Sequence, residues 1–193
     1  MSESDASSNT VLRAGLDSVY AHYARPQYLH PDPVHVLHRY ADVHDREVVA
    51  FFAAGLAYGR VASILKSLED FLPRLTDAPG RFVDRGTPKI WNQALRGFKH
   101  RWTTADEVAD VLRGMQCLRR ESGSLENALQ EGIAEEDKTM FPALAKWVFR
   151  LRRRPDIRNS LLSNPAGPSA CKRLHLFLRW MVRCDAVDPG GWK

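Results

Sequence analysis

The sequence predicts an all-α, multi-helix globular domain. Apolar residues recur at helical spacing in several segments, and no segment shows the sustained alternation with β-branched residues that predicts a strand. The 193 residues are 44% hydrophobic and 26% charged, a composition typical of a protein with a packed core. This length favours a single domain over residues 10–193, preceded by a polar tail of residues 1–9 that we expect to be disordered.

Four helices are predicted in the N-terminal half. Apolar spacing predicts helices over Val11–Tyr23, Val34–Tyr40 and Val61–Leu72. A further helix, with Asp45 as its N-cap, runs to Leu56 and is apolar on nearly every side. Because a helix without a polar face has no side suited to water, we expect this one to be buried at the centre of the fold.

In the C-terminal half the clearest signal is a helix start at Thr104. Thr104-Ala-Asp-Glu107 is a capping-box pattern, in which the hydroxyl and the carboxylate exchange hydrogen bonds with backbone amides. The helix that it opens runs through Leu118. Further helices are predicted over Ser124–Gln130 and Phe141–Arg153.

The last predicted helix has an apolar side and a cationic side. It follows the Pro/Gly turn of residues 164–168, and we expect Ser169 to cap it. At about 100° per residue the two sides form opposite stripes. The apolar stripe is Leu174, Phe177, Leu178 and Met181, and the basic stripe is Lys172, Arg179 and Arg183.

Positive charge is concentrated before and within this last helix. The formal net charge is +5, yet residues 146–183 contain ten Lys or Arg and a single acid, Asp156. Such asymmetry is typical of a face that binds a polyanion, although a solvated basic helix end gives the same pattern. For a nucleic-acid partner, the candidate phosphate-binding side chains are Arg152, Arg153, Arg154, Arg173, Arg179 and Arg183.

Several classes of protein and site are disfavoured. The longest apolar run, Val48–Tyr58, is about half the roughly 20 residues that a bilayer span needs, and the polar N-terminus does not resemble a signal peptide. Three cysteines without a CxxC pair favour reduced thiols, and hence the cytoplasm, over disulfides. The histidines lack a metal-site spacing, so we expect neither a metal nor another cofactor.

Lys172 is the candidate catalytic residue. It lies in the first turn of the last helix, where free amides and the helix dipole can hold a phosphate. The same dipole disfavours an ammonium, and the neutral amine is the form that a lysine nucleophile needs. A lysine that faces solvent, or that pairs with phosphate as a point charge, is the alternative.

The turn and the helix with a first-turn lysine resemble the helix-hairpin-helix DNA glycosylase superfamily. The chain is most similar to an uncharacterised prokaryotic family reminiscent of archaeal 8-oxoguanine DNA glycosylases. The matching blocks include Ala53–Val61, Phe98-Lys-His-Arg-Trp102 and Ser169–Arg183. The second block mixes aromatic and basic residues, which suits contact with a base or with the nucleic-acid backbone and equally suits a helix end covering the core.

The resemblance implies a DNA repair glycosylase with AP lyase activity. Lys172 would attack the sugar C1′ of a flipped damaged nucleotide and form a Schiff base, while the amides around Gly167 and Ser169 would hold phosphate. The resemblance also places the catalytic aspartate beyond Lys193, so we expect the chain to be C-terminally truncated and interpret Asp188 as a turn residue. A non-catalytic nucleic-acid-binding protein and a helical protein that docks an acidic partner remain alternatives.

Overall fold

The computed structural model describes residues 3–156 and 158–193. In this part the chain forms nine α-helices, three 3-10 helices and one short hairpin, which confirms the prediction of a mostly helical chain. The α-helices are α1 (Glu3–Tyr23), α2 (Val43–Leu56), α3 (Val61–Phe71), α4 (Pro79–Arg85), α5 (Pro88–Ala94), α6 (Ala105–Ser122), α7 (Leu125–Gln130), α8 (Phe141–Leu151) and α9 (Lys172–Val182). The 3-10 helices are Pro26–Tyr28, Pro33–Arg39 and Leu72–Leu75.

The hairpin was not predicted. Strand β1 (Lys99–His100) pairs antiparallel with β2 (Thr103–Thr104) across a two-residue loop. Two residues in each strand are too few to show an alternating pattern, so the sequence gives no periodic signal for them.

Helix α2 forms the centre of the fold, as its apolar composition predicts. Every residue from Val48 to Ala54 is at most 2% exposed. The predicted N-cap is wrong, because Asp42, not Asp45, accepts the amide of His44 at 2.7 Å. Asp45 instead accepts the amide of Gly80 at 2.7 Å and so ties the first turn of α4 to α2.

An aromatic cluster fixes α9 against α2. The ring of Phe177 lies 5.5 Å from that of Phe51 and stacks at 5.9 Å on Trp147 of α8. Trp192 meets the same ring edge-on at 5.1 Å. Because large aromatic rings dominate core packing, these contacts set the position of α9 and of the residues at its N-terminus.

The faces of α9 match the predicted stripes in part. Leu174, Phe177 and Met181 are buried, as predicted, but Leu178 is only half-buried. Trp180, which the predicted stripe omits, is buried in its place. The apolar side of the helix is therefore rotated toward Trp180, away from Leu178.

The predicted cap of α9 is also wrong. The N-cap is Cys171, whose φ of 46° places it in the left-handed region, and no side chain caps this helix start. Ser169 lies two residues earlier, and its Oγ accepts the amide of Cys171 at 3.2 Å. Ser169 thus closes a turn ahead of the helix, and Lys172 becomes the first helical residue.

The predicted capping box at Thr104 is confirmed. The amide of Glu107 donates to the Thr104 hydroxyl at 3.4 Å, and the Glu107 carboxylate accepts the Thr104 amide at 2.7 Å. The predicted helix at Ser124 is present too, with the Ser124 hydroxyl accepting the amide of Asn127 at 3.0 Å. Helix α8 ends at Leu151, two residues before the predicted end.

Helix α1 begins at Glu3, within the segment predicted to be disordered, while Met1 and Ser2 lie outside the described residues. Its large apolar side chains from Val11 to Tyr23 are each more than half exposed. In the described ranges no helix is long and apolar enough to cross a membrane.

Residues 184–193 fold back over α2. Arg46 donates to the carbonyls of Pro189 at 3.3 Å and Gly190 at 2.9 Å. The indole of Trp192 donates to Glu47 at 3.3 Å, and Glu47 is buried in an ion pair with Arg119. Trp192 is therefore part of the core, and polar contacts as well as packing hold the segment, although residues 184–186 are exposed.

Candidate nucleic-acid interface

Lys172 is exposed at the start of α9, and no hydrogen bond or ion pair engages its ammonium within the described residues. The first amides of a helix have no partner inside the helix, and the dipole makes this end positive. Lys172 therefore stands where an anionic group of a ligand can reach both free amides and a cation.

The turn before Lys172 is closed by its own hydrogen bonds. Asn164 accepts the amide of Ala166 at its side chain, at 3.0 Å, and the amide of Gly167 at its carbonyl, at 3.1 Å. The Ser169 hydroxyl accepts the Cys171 amide. The amide of Gly167 is therefore already donated, and its predicted phosphate contact, like that of Ser169, stays a prediction.

Arg173 is directed into the protein. Its guanidinium donates to the carbonyl of Gly55 at 2.5 Å and to that of Ser160 at 2.7 Å, and its Cζ lies 5.0 Å from the centre of the Tyr58 ring. Burial lowers the pKa of the Arg173 guanidinium. The side chain joins the end of α2, residue 160 and α9, so its first role in this structure is to anchor α9.

Arg179 and Arg183 both face an acid that follows the helix. Asp188 accepts from Nε of Arg179 at 3.0 Å, and its carboxylate lies 3.5 Å from Nε of Arg183. Arg183 also donates to Asp185 at 2.6 Å and lies over the ring of Tyr20. Two of the predicted phosphate ligands are thus partly neutralised by neighbouring carboxylates.

Two of the three arginines at the end of α8 also have partners within the protein. Arg152 donates to the carbonyl of Leu162 at 3.2 Å, and Arg154 donates to Asp156 at 3.3 Å. Arg153 is exposed and has no such partner in the described part of the chain. The predicted polyanion-binding stretch is therefore not one continuous free face, and its exposed members are the candidates for phosphate contact.

Asp188 lies in a turn, as predicted, but it is fully buried. It is 0% exposed, its amide donates to Asp185 at 2.9 Å, and its Oδ1 has no hydrogen-bond partner in the described residues. A buried carboxylate oxygen without a partner is uncommon and asks for an explanation. Sequence reasoning missed this burial, although Trp192 four residues later indicates that the segment packs on the core.

Lys172 and Arg179 lie along the same side of α9. Arg179, which holds Asp188, is seven residues after Lys172, so Lys172 and Arg179 are two helical turns and about 10 Å apart along the helix. A cleft of about 360 Å³ opens beside this face against α1, lined by Tyr20, Arg179 and Val187 among others. Neither Lys172 nor Asp188 is among the residues that line this cleft, which opens at the C-terminal half of α9.

The histidines and cysteines form no second site. His30 and His35 meet ring to ring at 5.6 Å, but no group of three or more potential metal ligands comes together within the described ranges. Cys117, Cys171 and Cys184 are all free thiols.

The comparisons with known proteins identify a family. The chain has no significant match among curated proteins or among solved structures. A family model described as "Protein of unknown function (DUF2400)" matches residues 32–193, which is most of the chain. The chain therefore belongs to the DUF2400 family.

Proposed function

We propose that this protein is a DNA glycosylase with AP lyase activity, in which Lys172 is the nucleophile. One observation carries the proposal: Lys172 is exposed in the first turn of α9, and no hydrogen bond or ion pair engages its ammonium within the described residues. The resemblance of the last block to helix-hairpin-helix glycosylases supports the same conclusion. The exposed cations Arg153 and Arg154 supply electrostatic attraction to DNA.

In the proposed reaction the lone pair of the neutral Lys172 amine attacks C1′ of a nucleotide flipped out of the duplex. The bond from C1′ to the base breaks, and the base leaves with that electron pair and takes up a proton. The amine loses a proton and the C1′–O4′ bond breaks, with O4′ taking up a proton, which leaves a protonated imine between Lys172 and C1′. Loss of a proton from C2′ then forms the C2′–C3′ double bond and expels the 3′ phosphate, which cuts the strand, and water hydrolyses the imine to free Lys172.

Asp188 has no assigned role in base release. Its carboxylate is fully buried and faces both Arg179 and Arg183, and it does not line the cleft beside α1. A sugar bonded to Lys172 therefore has no contact with this carboxylate, which stabilises the packing of residues 184–193 on α9.

Borohydride trapping tests the nucleophile. The 193-residue chain is incubated with duplex DNA that carries an oxidised purine, and borohydride reduces any imine to a stable adduct. We expect an adduct that Lys172→Gln abolishes and that Lys138→Gln, a change at another exposed lysine, leaves intact. Tight DNA binding without an adduct, on this substrate and on an abasic site, would instead favour the non-catalytic nucleic-acid-binding alternative.

A further inference from the structure

We propose that a cavity beside Trp102 binds a nucleobase of unpaired, single-stranded nucleic acid, as a site separate from the Lys172 amine. This cavity, the Trp102 cavity, has a volume of about 410 Å³ and is lined by Trp102, Glu107, Arg158 and Ser160. The inference deepens the proposed function in that its ligand is nucleic acid, but it requires no chemistry at Lys172.

The hairpin presents Trp102 to solvent. Arg101 and Trp102 form the loop between β1 and β2, and Arg101 has a φ of 53°, in the left-handed region that side chains other than glycine seldom adopt. Trp102 remains 58% exposed, whereas large aromatic side chains are usually buried. The left-handed conformation of Arg101 has an energetic cost, and it accompanies an exposed indole at Trp102. Backbone strain of this kind is typical of binding sites.

The indole rests on a fixed support. The ring of Tyr58 stacks on that of Trp102 at 4.7 Å with an angle of 19° between the planes. The Tyr58 hydroxyl donates to the carbonyl of His100 and contacts Thr103 Oγ1, each at 2.8 Å. His100 in turn bonds Ser67 at 2.7 Å. The Arg101 guanidinium also lies over the indole, with its Cζ 4.9 Å from the ring centre, so a base stacks on the exposed surface that Arg101 leaves or displaces that side chain. Trp102 is held between these neighbours, which lowers the ordering cost of placing a planar ligand against it.

The polar lining suits a nucleotide. Arg158 is exposed and makes no hydrogen bond or ion pair in the described residues, so its guanidinium is available to a phosphate. The Glu107 carboxylate already accepts the amides of Thr104 at 2.7 Å and Ser160 at 2.6 Å. Its charge is thus partly satisfied. An aromatic platform with an adjacent free cation is the combination that single-strand-binding proteins use for successive bases and phosphates.

The Trp102 cavity is connected to Lys172 through packed residues. Arg173, next to Lys172, donates to the carbonyl of Ser160 in the cavity wall and lies over Tyr58, which supports Trp102. The Arg173 side chain therefore joins the start of α9 to the wall of the Trp102 cavity.

Tryptophan fluorescence tests the proposal directly, because the other four tryptophans are buried. Trp91, Trp147, Trp180 and Trp192 are each at most 7% exposed, so quenching by a stacked base reports mainly on Trp102. The probe is single-stranded oligothymidylate, with polyphosphate as a polyanion that has no base. The variants are Trp102→Ala, Trp102→Phe and Phe149→Ala, the last a matched change at an exposed aromatic outside the Trp102 cavity. Because the two Trp102 variants lack the reporting indole, the affinity of every variant is measured by the fluorescence anisotropy of dye-labelled oligothymidylate.

We expect oligothymidylate, but not polyphosphate, to quench the wild-type emission. Trp102→Ala should weaken oligothymidylate binding at least about fivefold, Trp102→Phe should retain most of it, and Phe149→Ala should match wild type. Absence of binding, equal quenching by both probes, or unchanged affinity in Trp102→Ala would each overturn the proposal. Lys172→Gln separates the two proposals, since it should abolish borohydride trapping while leaving the quenching unchanged.

Discussion

Replacing Arg173 by alanine should destabilise the protein far more than the same change at its neighbour Lys172. Arg173 donates to two backbone carbonyls, at 2.5 and 2.7 Å, and covers the ring of Tyr58. Lys172 is exposed without such contacts in the described part of the chain. Comparing the two variants therefore distinguishes an arginine that anchors α9 from a neighbouring lysine that makes no such contacts.

The size of the effect follows from these contacts. A hydrogen bond with a charged donor contributes about 1.5–3 kcal/mol, and a cation over an aromatic ring adds about 0.5–1 kcal/mol. The cost of burying the guanidinium, which also lowers its pKa, offsets part of this gain. We expect a net loss of about 2–4 kcal/mol for Arg173→Ala and a change within about 0.5 kcal/mol for Lys172→Ala.

Thermal unfolding followed by circular dichroism measures both variants. In a chain of this size each kcal/mol lowers Tm by about 2–4 °C, so Arg173→Ala should unfold about 5–15 °C earlier than wild type. Arg173→Lys should lose most of the same stability, because a single ammonium cannot reproduce the guanidinium fork. If Arg173→Ala keeps the wild-type Tm but loses DNA affinity, the anchoring argument is refuted and the predicted phosphate contact is right.

Three further predictions concern packing and pH. Gly114→Ala should lower the free energy of unfolding, measured in urea, by about 1–3 kcal/mol, because the new Cβ would lie 2.0 Å from a carbonyl oxygen of α8. Gly15→Ala is the control: its Cβ would meet nothing within 4 Å, and alanine favours the helix, so the free energy of unfolding should rise by about 0.5–1 kcal/mol. Burial lowers the pKa of His100 below 6.5, so the neutral imidazole contributes its full stability to the fold above pH 6.5. The urea midpoint of unfolding should drop as the pH falls from 6.5 through the lowered pKa of the folded protein, and His100→Gln should reduce this pH dependence. Met181→Ala should cost about 2–5 kcal/mol and Leu178→Ala clearly less, since only Met181 is fully buried; equal losses would contradict the observed rotation of α9.

The parts of the structure that the sequence predicts are the local ones. The capping box at Thr104 forms because both partners lie within three residues of each other, so its geometry is contained in the pattern. The centrality of α2 follows from its lack of a polar face. Asp45 shows where local patterns fail. Its carboxylate accepts an amide in the first turn of α4 and not one of its own helix α2, and the sequence around Asp45 does not contain that contact.

The candidate site depends on contacts that no local pattern contains. Arg173 reaches the carbonyl of Gly55, 118 residues earlier in the chain, so its role as an anchor could not be read from the helix that carries it. The position of Lys172 in a first turn was predictable from the preceding Pro/Gly turn. The burial of Asp188 was not, because it depends on how residues 184–193 pack over α2.

The return of residues 184–193 over α2 also sets an order of folding. The bond from Glu47 to Trp192 spans 145 residues and that from His38 to Val187 spans 149, so nearly the whole chain must be synthesised before α2 is fully covered. Closing such long loops slows folding, and a central apolar helix left uncovered in the meantime favours aggregation. During translation, the side of α2 near Arg46 and Glu47 therefore stays uncovered until residues 184–193 emerge.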